Sequence, residues 1–443
     1  MTHKSSIRTV VTACMAGSAV EWYDFFLYGI ASATVLNKLF FPNFDAGVGT
    51  ILSFSTFFVG FIARPLGGLI SGHFGDKMGR KSILVITMVA MGAGTFLMGC
   101  LPTYSSIGIL APIMLVFLRF VQGLAVGGEW GGASVMTIEH APPDKRGLYG
   151  GLLAAGSSIG LLLANAVFLL SSKLTQDDFL VWGWRIPFLV SIVLVGIGYY
   201  IRRRLDETPA FTSAESRQAT SRTPFITLLR TNPKVMLQAM GAKVGEAAQF
   251  NIFVVFGLSA IAIYQVERDT YLVGTMIAAA ISLATVPFAG ALSDRYGRKK
   301  IYCIGLIALI GLAFGFFPLV SVGADWAVYL AITLSFAGVG AATAGIQPTL
   351  FSEMFSTDVR YTGASVGYQW GGTIGGGTAP LVATALMQAT GSAIWIAVYA
   401  AGLAIISLIS VATTQETFRK DLNAAGAKTP RPSATLDTSK GTR

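Results

Sequence analysis

Gly75-Asp76-Lys77-Met78-Gly79-Arg80-Lys81 and Ser293-Asp294-Arg295-Tyr296-Gly297-Arg298-Lys299 are two versions of one short polar turn. Each holds an acid, a glycine and a basic cluster, and each separates two long apolar runs. A second pair follows the same rule: Glu139 precedes Arg146 by seven residues, and Glu353 precedes Arg360 by seven. Position 294 lies 218 beyond 76, and 353 lies 214 beyond 139. Two unrelated chance matches would not give nearly equal offsets, so the chain reads as two related halves.

Composition says where such a chain resides. Of its 443 residues 53% are hydrophobic and only 12% are charged, with a mean hydropathy of +0.63; a soluble protein of this size is far more polar. Twelve apolar runs of about 20 residues, the length that crosses a bilayer as helix, are expected between 10–36 and 392–414. The fold class predicted is an all-α polytopic membrane protein, with twelve transmembrane helices in two pseudo-symmetric six-helix bundles. Residues 1–205 form the first bundle and 206–234 a loop. Residues 235–415 form the second bundle, and 416–443 a disordered tail without an apolar face.

The formal charge of +10 is a matter of side rather than of nucleic acid. With both termini cytoplasmic, 25 of the 32 Lys and Arg lie on the cytoplasmic side, while Lys38, Lys173, Arg185 and Arg268 lie outside. That distribution is the positive-inside rule, and the run Arg202-Arg203-Arg204 would meet anionic lipid. Nucleic acid is not needed as a partner. No GxxxxGK[ST] sequence occurs and the histidines are only His3, His73 and His140, so neither ATP-driven work nor an enzyme with a metal or a nucleophile-base pair is expected. No cofactor is predicted; the energy source would be a proton gradient, and the protein a monomer.

Ionisable groups inside a span cost about 2.5 to 3.5 kcal/mol each and need a partner or a task. Glu21, Asp24 and Tyr28 sit at i, i+3 and i+7, on one helical face at mid-depth. Two acids on one stripe suggest a proton site. Arg119, Gln122 and Glu129 share a face of the fourth span; a guanidinium there offers a planar fork to Glu21, Asp24 or a substrate carboxylate, and Glu129 could pair with Arg64. In the seventh span Lys243, Glu246 and Phe250 align, with Gln249 beside them, and Lys243 and Glu246 are also spaced to satisfy each other. Mid-depth sites facing each other across the two halves are where such carriers bind substrate, so Tyr28, Arg119, Gln122, Lys243, Glu246, Gln249, Tyr368 and Gln369 are expected to line it. Glu21, Asp24, Arg119 and Glu129 are expected to couple the proton. Arg64, Asp76, Arg80, Glu139, Arg146, Asp294, Arg298, Glu353 and Arg360 are expected to form gate contacts between hairpins.

The two turns resemble the signature of the major facilitator superfamily. More narrowly, Val20-Glu21-Trp22-Tyr23-Asp24-Phe25, Ala63-Arg64-Pro65, Arg119-Phe120-Val121-Gln122-Gly123, Gly127-Gly128-Glu129-Trp130-Gly131-Gly132 and Gly183-Trp184-Arg185-Ile186-Pro187-Phe188 look like the metabolite:proton symporters. The resemblance implies proton-coupled uptake of a small molecule through the bacterial inner membrane. Its cargo would be an organic acid such as shikimate, 2-oxoglutarate, citrate or an aromatic acid, or a zwitterionic osmolyte such as proline or betaine. The shikimate carriers are the nearest in pattern, with Glu21 and Lys243 here standing where that pattern has Asp and Arg. The tail lacks the heptads of the osmosensing branch.

Overall fold

The computed structural model describes residues 7–78, 80–203, 224–356 and 359–418, the turn at 72–82 as backbone only. The expectations for Asp76 and Arg80 therefore lie outside the described residues, as does most of the 206–234 loop and of the 416–443 tail. Helix dominates, and no strand occurs among the described residues. Among the described residues the helical segments, apart from two short ones at Tyr104–Ile107 and Pro224–Thr231, join into twelve rods: α1 (7–40), α2 (Ala46–Met78), α3 (Arg80–Cys100), α4 (Leu110–His140), α5 (Arg146–Phe179), α6 (Arg185–Arg203), α7 (233–264), α8 (Arg268–Tyr296), α9 (Arg298–Ser321), α10 (Asp325–Met354), α11 (360–390) and α12 (Ala393–Ala412). Eight of them, α2 to α5, α8 to α10 and α12, are long and apolar enough by themselves to cross a bilayer. The others include α1, α7 and α11, which carry the acids, amides and lysine singled out above.

Local chemistry sets the ends. Asp45 Oδ1 accepts from the N–H groups of Gly47 and Val48, each at 3.0 Å, at the start of α2. Pro233 opens α7, where its missing N–H costs nothing. Gly297 stands between α8 and α9 at φ 102°, a conformation that L side chains rarely adopt.

The doubling is visible in which rods touch. In the first half α1 packs on α5 and α6, α2 on α4, and α3 on α4 and α6; in the second, α7 packs on α11 and α12, α8 on α10, and α9 on α10 and α12. Each pair reappears six rods later. Between the halves α5 meets α8 and α2 meets α11, again a symmetric pair. Apolar lipid gives helices no hydrophobic reason to associate, so close approach must. A Cβ added to Gly127 of α4 would lie 2.0 Å from the Arg64 carbonyl oxygen of α2, and one added to Gly290 of α8 would lie 2.2 Å from the Gly147 oxygen of α5.

Irregular backbone is concentrated in particular rods. π-Helical turns interrupt α1 (Ser32–Leu36), α7 (Asn251–Phe256), α10 (Leu334–Val339) and α11 (Thr373–Gly377), and α4 and α10 break at Gly127-Gly128 and Gly345-Ile346. These rods surround the central cavity described next. Such turns recur at working sites, and at membrane depth irregular backbone is tolerated only inside protein.

Candidate functional site

The structure divides the polar residues of the interior into two groups. The first lies within the first half. The Arg119 guanidinium donates to Gln122 Oε1 and stacks over the Tyr28 ring, 4.1 Å from its centroid, with Phe57 at 5.3 Å. Gln122 Nε2 donates to Thr95 Oγ1 at 2.6 Å, and Tyr28 shares a hydrogen bond with Thr56. Asp24 has Arg119, Glu129 and Thr95 as polar neighbours. Thr95 spends its own proton on the Met91 carbonyl, and both Asp24 oxygens are buried without a hydrogen-bond partner. A buried carboxylate without donors is among the most expensive groups a protein can hold.

The second group faces the other half. Lys243 Nζ donates to the Glu246 carboxylate and, at 3.0 Å, to Gln347 Oε1, and lies 4.0 Å from the centroid of the Tyr368 ring. The other face of Tyr368 stacks on Trp130 of α4, with ring centroids 3.6 Å apart and planes 12° apart. Gln369 Nε2 donates to Gly127 O at 3.2 Å and Tyr361 to Gly128 O at 2.7 Å, so the break in α4 supplies acceptors to α11. Gln249 donates to Ser335 O, in the π turn of α10.

Two adjoining cavities separate the halves here. The larger, ≈ 670 Å³ of empty space counting its open part, is walled by Trp22, Phe26, Trp130, Phe250, Phe336 and Tyr368, with Glu246, Gln249 and Gln347 among its polar points. The smaller, ≈ 330 Å³, shares Trp22, Glu246, Phe250 and Tyr368 and adds Arg64, Lys243, Asn251 and Gln369. Arg64, expected among the gate residues, thus stands on a cavity wall, its guanidinium 4.6 Å from the centroid of Phe61 and 5.0 Å from that of Phe25. Of the residues expected to bind substrate, Lys243, Glu246, Gln249, Tyr368 and Gln369 line these cavities, whereas Tyr28, Arg119 and Gln122 belong to the cluster around Asp24.

Bonds tie the halves together above and below the cavities. At the end bearing the basic turns, Asp294 accepts from the N–H groups of Gly147 and Leu148 at 2.8 and 2.9 Å, an acid of α8 placed on the N-terminus of α5. Arg298 pairs with Asp294 at 2.6 Å and with Glu353 at 3.3 Å, Arg360 pairs with Glu139 at 3.0 Å, and Thr349 donates to the Arg146 carbonyl. Glu416 and Thr417, expected in the disordered tail, instead touch this cluster: Glu416 accepts from Arg298 N–H and Thr417 donates to Glu353. At the opposite end Arg268 donates to Ser172 at 2.7 Å, Lys173 pairs with Asp269 at 3.1 Å, and Thr275 donates to Asn165. The geometry is that of a compartment between two six-helix halves joined by polar contacts at both ends.

Reading the sequence alone missed Gln347, Trp130 and the Arg268–Ser172 contact. An amide inside an otherwise apolar run, flanked by Gly345 and Pro348, was the available signal for the first. The last offers none, because its partners are 96 residues apart.

A chain with two symmetric six-helix halves and a central buried polar compartment is a membrane transporter rather than an enzyme. The model of the Major Facilitator Superfamily matches residues 14–354 and 247–436, and the chain belongs to that family. It is 40% identical to the shikimate transporter of Escherichia coli (strain K12) over 86% of this chain and 88% of the relative. It is 38% identical to the inner membrane metabolite transport protein YhjE of the same organism over 94% and 96%, and 35% identical to the proline/betaine transporter of Salmonella typhimurium over 95% and 85%. Among solved structures, the proton:xylose symporter XylE bound to 6-bromo-6-deoxy-D-glucose superposes with a TM-score of 0.75 at 16% identity, covering 95% of this chain and 98% of that one.

Proposed function

We propose that this protein imports a small mono- or dicarboxylate, shikimate being the first candidate, together with protons across the bacterial inner membrane, by alternating access and with both termini cytoplasmic. The observation that carries this reading is the charge balance of the interior. Around the compartment Arg64, Arg119 and Lys243 are buried with Glu21, Asp24, Glu129 and Glu246, so acids exceed cations by one. An anion that enters deepens the deficit, and in a low-dielectric interior protons are the cheapest cover. In this reading Asp24, the acid without a donor, and Glu21 take up protons, with Arg119 and Glu129 sensing the change. Arg64, Lys243 and Gln369 hold the anion, and the Asp294, Arg298, Glu353 and Glu139–Arg360 contacts open and close one end. The monomer runs on the gradient alone, without a cofactor. The relatives named for shikimate and for inner membrane transport support it.

A second reading has its own observation. The larger cavity is a cage of Trp22, Phe26, Trp130, Phe250, Phe336 and Tyr368 beside the Glu246 carboxylate, the surroundings that hold an onium group by cation–π attraction. A zwitterion with its carboxylate at Lys243 would fit both cavities, in keeping with the relatives named for proline and betaine. Reconstituted protein under an inward proton gradient separates the two. Accumulation of labelled shikimate that a protonophore abolishes and unlabelled benzoate or 2-oxoglutarate reduces supports the acid importer. Competition or uptake by betaine in their place supports the zwitterion, and accumulation indifferent to the protonophore removes proton coupling.

A further inference from the structure

Lys243 has no donor to spare. Of the three N–H groups on an ammonium, one goes to the Glu246 carboxylate and one to Gln347 Oε1, and the remaining side of the nitrogen lies against the Tyr368 ring. Gln347 is itself fixed, donating to Tyr302 at 2.9 Å, and Tyr302 donates to the Ala242 carbonyl at 3.0 Å. A cargo carboxylate therefore reaches Lys243 only by displacing a ligand. Glu246 is the ligand of the same chemistry, and it stands on the wall of both cavities.

Displacement alone leaves two carboxylates against one ammonium, which a buried site does not tolerate. We infer that Glu246 is a built-in competitor for Lys243, replaced one for one by the cargo carboxylate as it accepts a proton. The exchange balances: Lys243 stays an ammonium, the cargo supplies the anion, the proton ends on Glu246, and the number of buried charges is unchanged. It rests on a carboxylate-bearing cargo, common to both readings above. It places one coupling proton in the second half, apart from Asp24.

Other groups reach the pair. Glu21 of α1 and Arg64 of α2 act on Lys243, and Tyr302 of α9 and Tyr368 of α11 lie within reach of Glu246; Gln347 faces it from α10, and Ser407 of α12 holds the N–H of Gly245. Glu21 is thus the rival carboxylate.

The test is binding of sodium benzoate, a minimal carboxylate, to the purified full chain, followed by thermal shift from about pH 6 to about pH 8. Wild-type affinity should fall as pH rises, by about tenfold per pH unit for each linked proton. Glu246→Gln should bind at least about tenfold tighter than wild type at the alkaline end, with a pH slope about one proton shallower. Glu21→Gln should keep the part of the slope that Glu246→Gln loses, and the pair-deleted Lys243→Met/Glu246→Leu should fold and not bind. A Glu246→Gln protein that keeps the slope or does not bind benzoate overturns the inference. Should that variant fail to fold, proton uptake by a weakly buffered Glu21→Gln/Asp24→Asn protein decides: about one proton per bound benzoate supports it, and none overturns it. Gradient-driven uptake is a separate assay, so loss of the import reading leaves this outcome intact.

Discussion

Asp24 and Arg119 show how little at this depth is left to solvent. Asp24 lacks any hydrogen-bond donor, and Arg119 gives its N–H to Gln122 and its face to Tyr28 while Nε has no partner. Asp24→Asn keeps the shape and removes the ionisable group; uphill accumulation should disappear while exchange of labelled for unlabelled cargo at equal concentrations continues. Loss of neither would take Asp24 out of the mechanism. Arg119→Lys preserves charge but neither the planar fork nor the flat stack on Tyr28, and a fall of at least about tenfold in kcat/KM for uptake, roughly 1.4 kcal/mol, is expected. Both acids on the α1 stripe and the cation opposite were legible in the sequence, because a charge inside an apolar run has no other excuse. Their partition was not. Arg119 and Glu129 share a face on an unbroken helical wheel, but α4 breaks at Gly127-Gly128 between them, and side-chain directions beyond a break cannot be projected from spacing.

At the scale of the helices, glycines set the distances. Gly127→Val in α4 would drive a side chain into the Arg64 carbonyl, and about 3 kcal/mol of destabilisation is expected from such overpacking. The measurable result is a lower midpoint of thermal unfolding in detergent. Gly196 of α6, where an added Cβ meets nothing within 4 Å, provides the control: Gly196→Ala should leave the midpoint unchanged or raise it slightly. Rod positions followed from apolar runs, and the Asp294–Arg298 pair followed from a repeated turn. The π turns of α1, α7, α10 and α11 were invisible, since one extra residue in a turn leaves no mark on a run whose exposed and buried faces are both apolar.

For the whole molecule, transport requires the halves to part first at one end and then at the other. Asp294 holds the N-terminus of α5 from α8, so Asp294→Asn should weaken that clasp and raise amide exchange at Gly147 and Leu148 by about tenfold or more. Along the same seam the Ser158 and Ser282 hydroxyls meet at 2.6 Å. A Ser158→Cys/Ser282→Cys protein should lose uptake on oxidation and regain it with dithiothreitol; uptake that ignores oxidation would mean that this seam stays closed throughout the cycle. The doubling itself was plain in the sequence from two turns and two acid–arginine pairs. Which rods of one half touch which of the other was not, because those contacts are made of backbone carbonyls, hydroxyls and glycines that any membrane helix contains.

The stack of Trp130 on Tyr368 joins a rod of the first half to a rod of the second, with the Lys243 ammonium on the far side of the tyrosine. Separation of the halves cannot leave it intact. Indole emission shifts with its surroundings, so the molecule carries its own optical gauge of the transport cycle, readable without a dye or a label. Cargo and pH should each change the tryptophan spectrum of the wild type, and Trp130→Phe should silence that change while the six remaining tryptophans still glow.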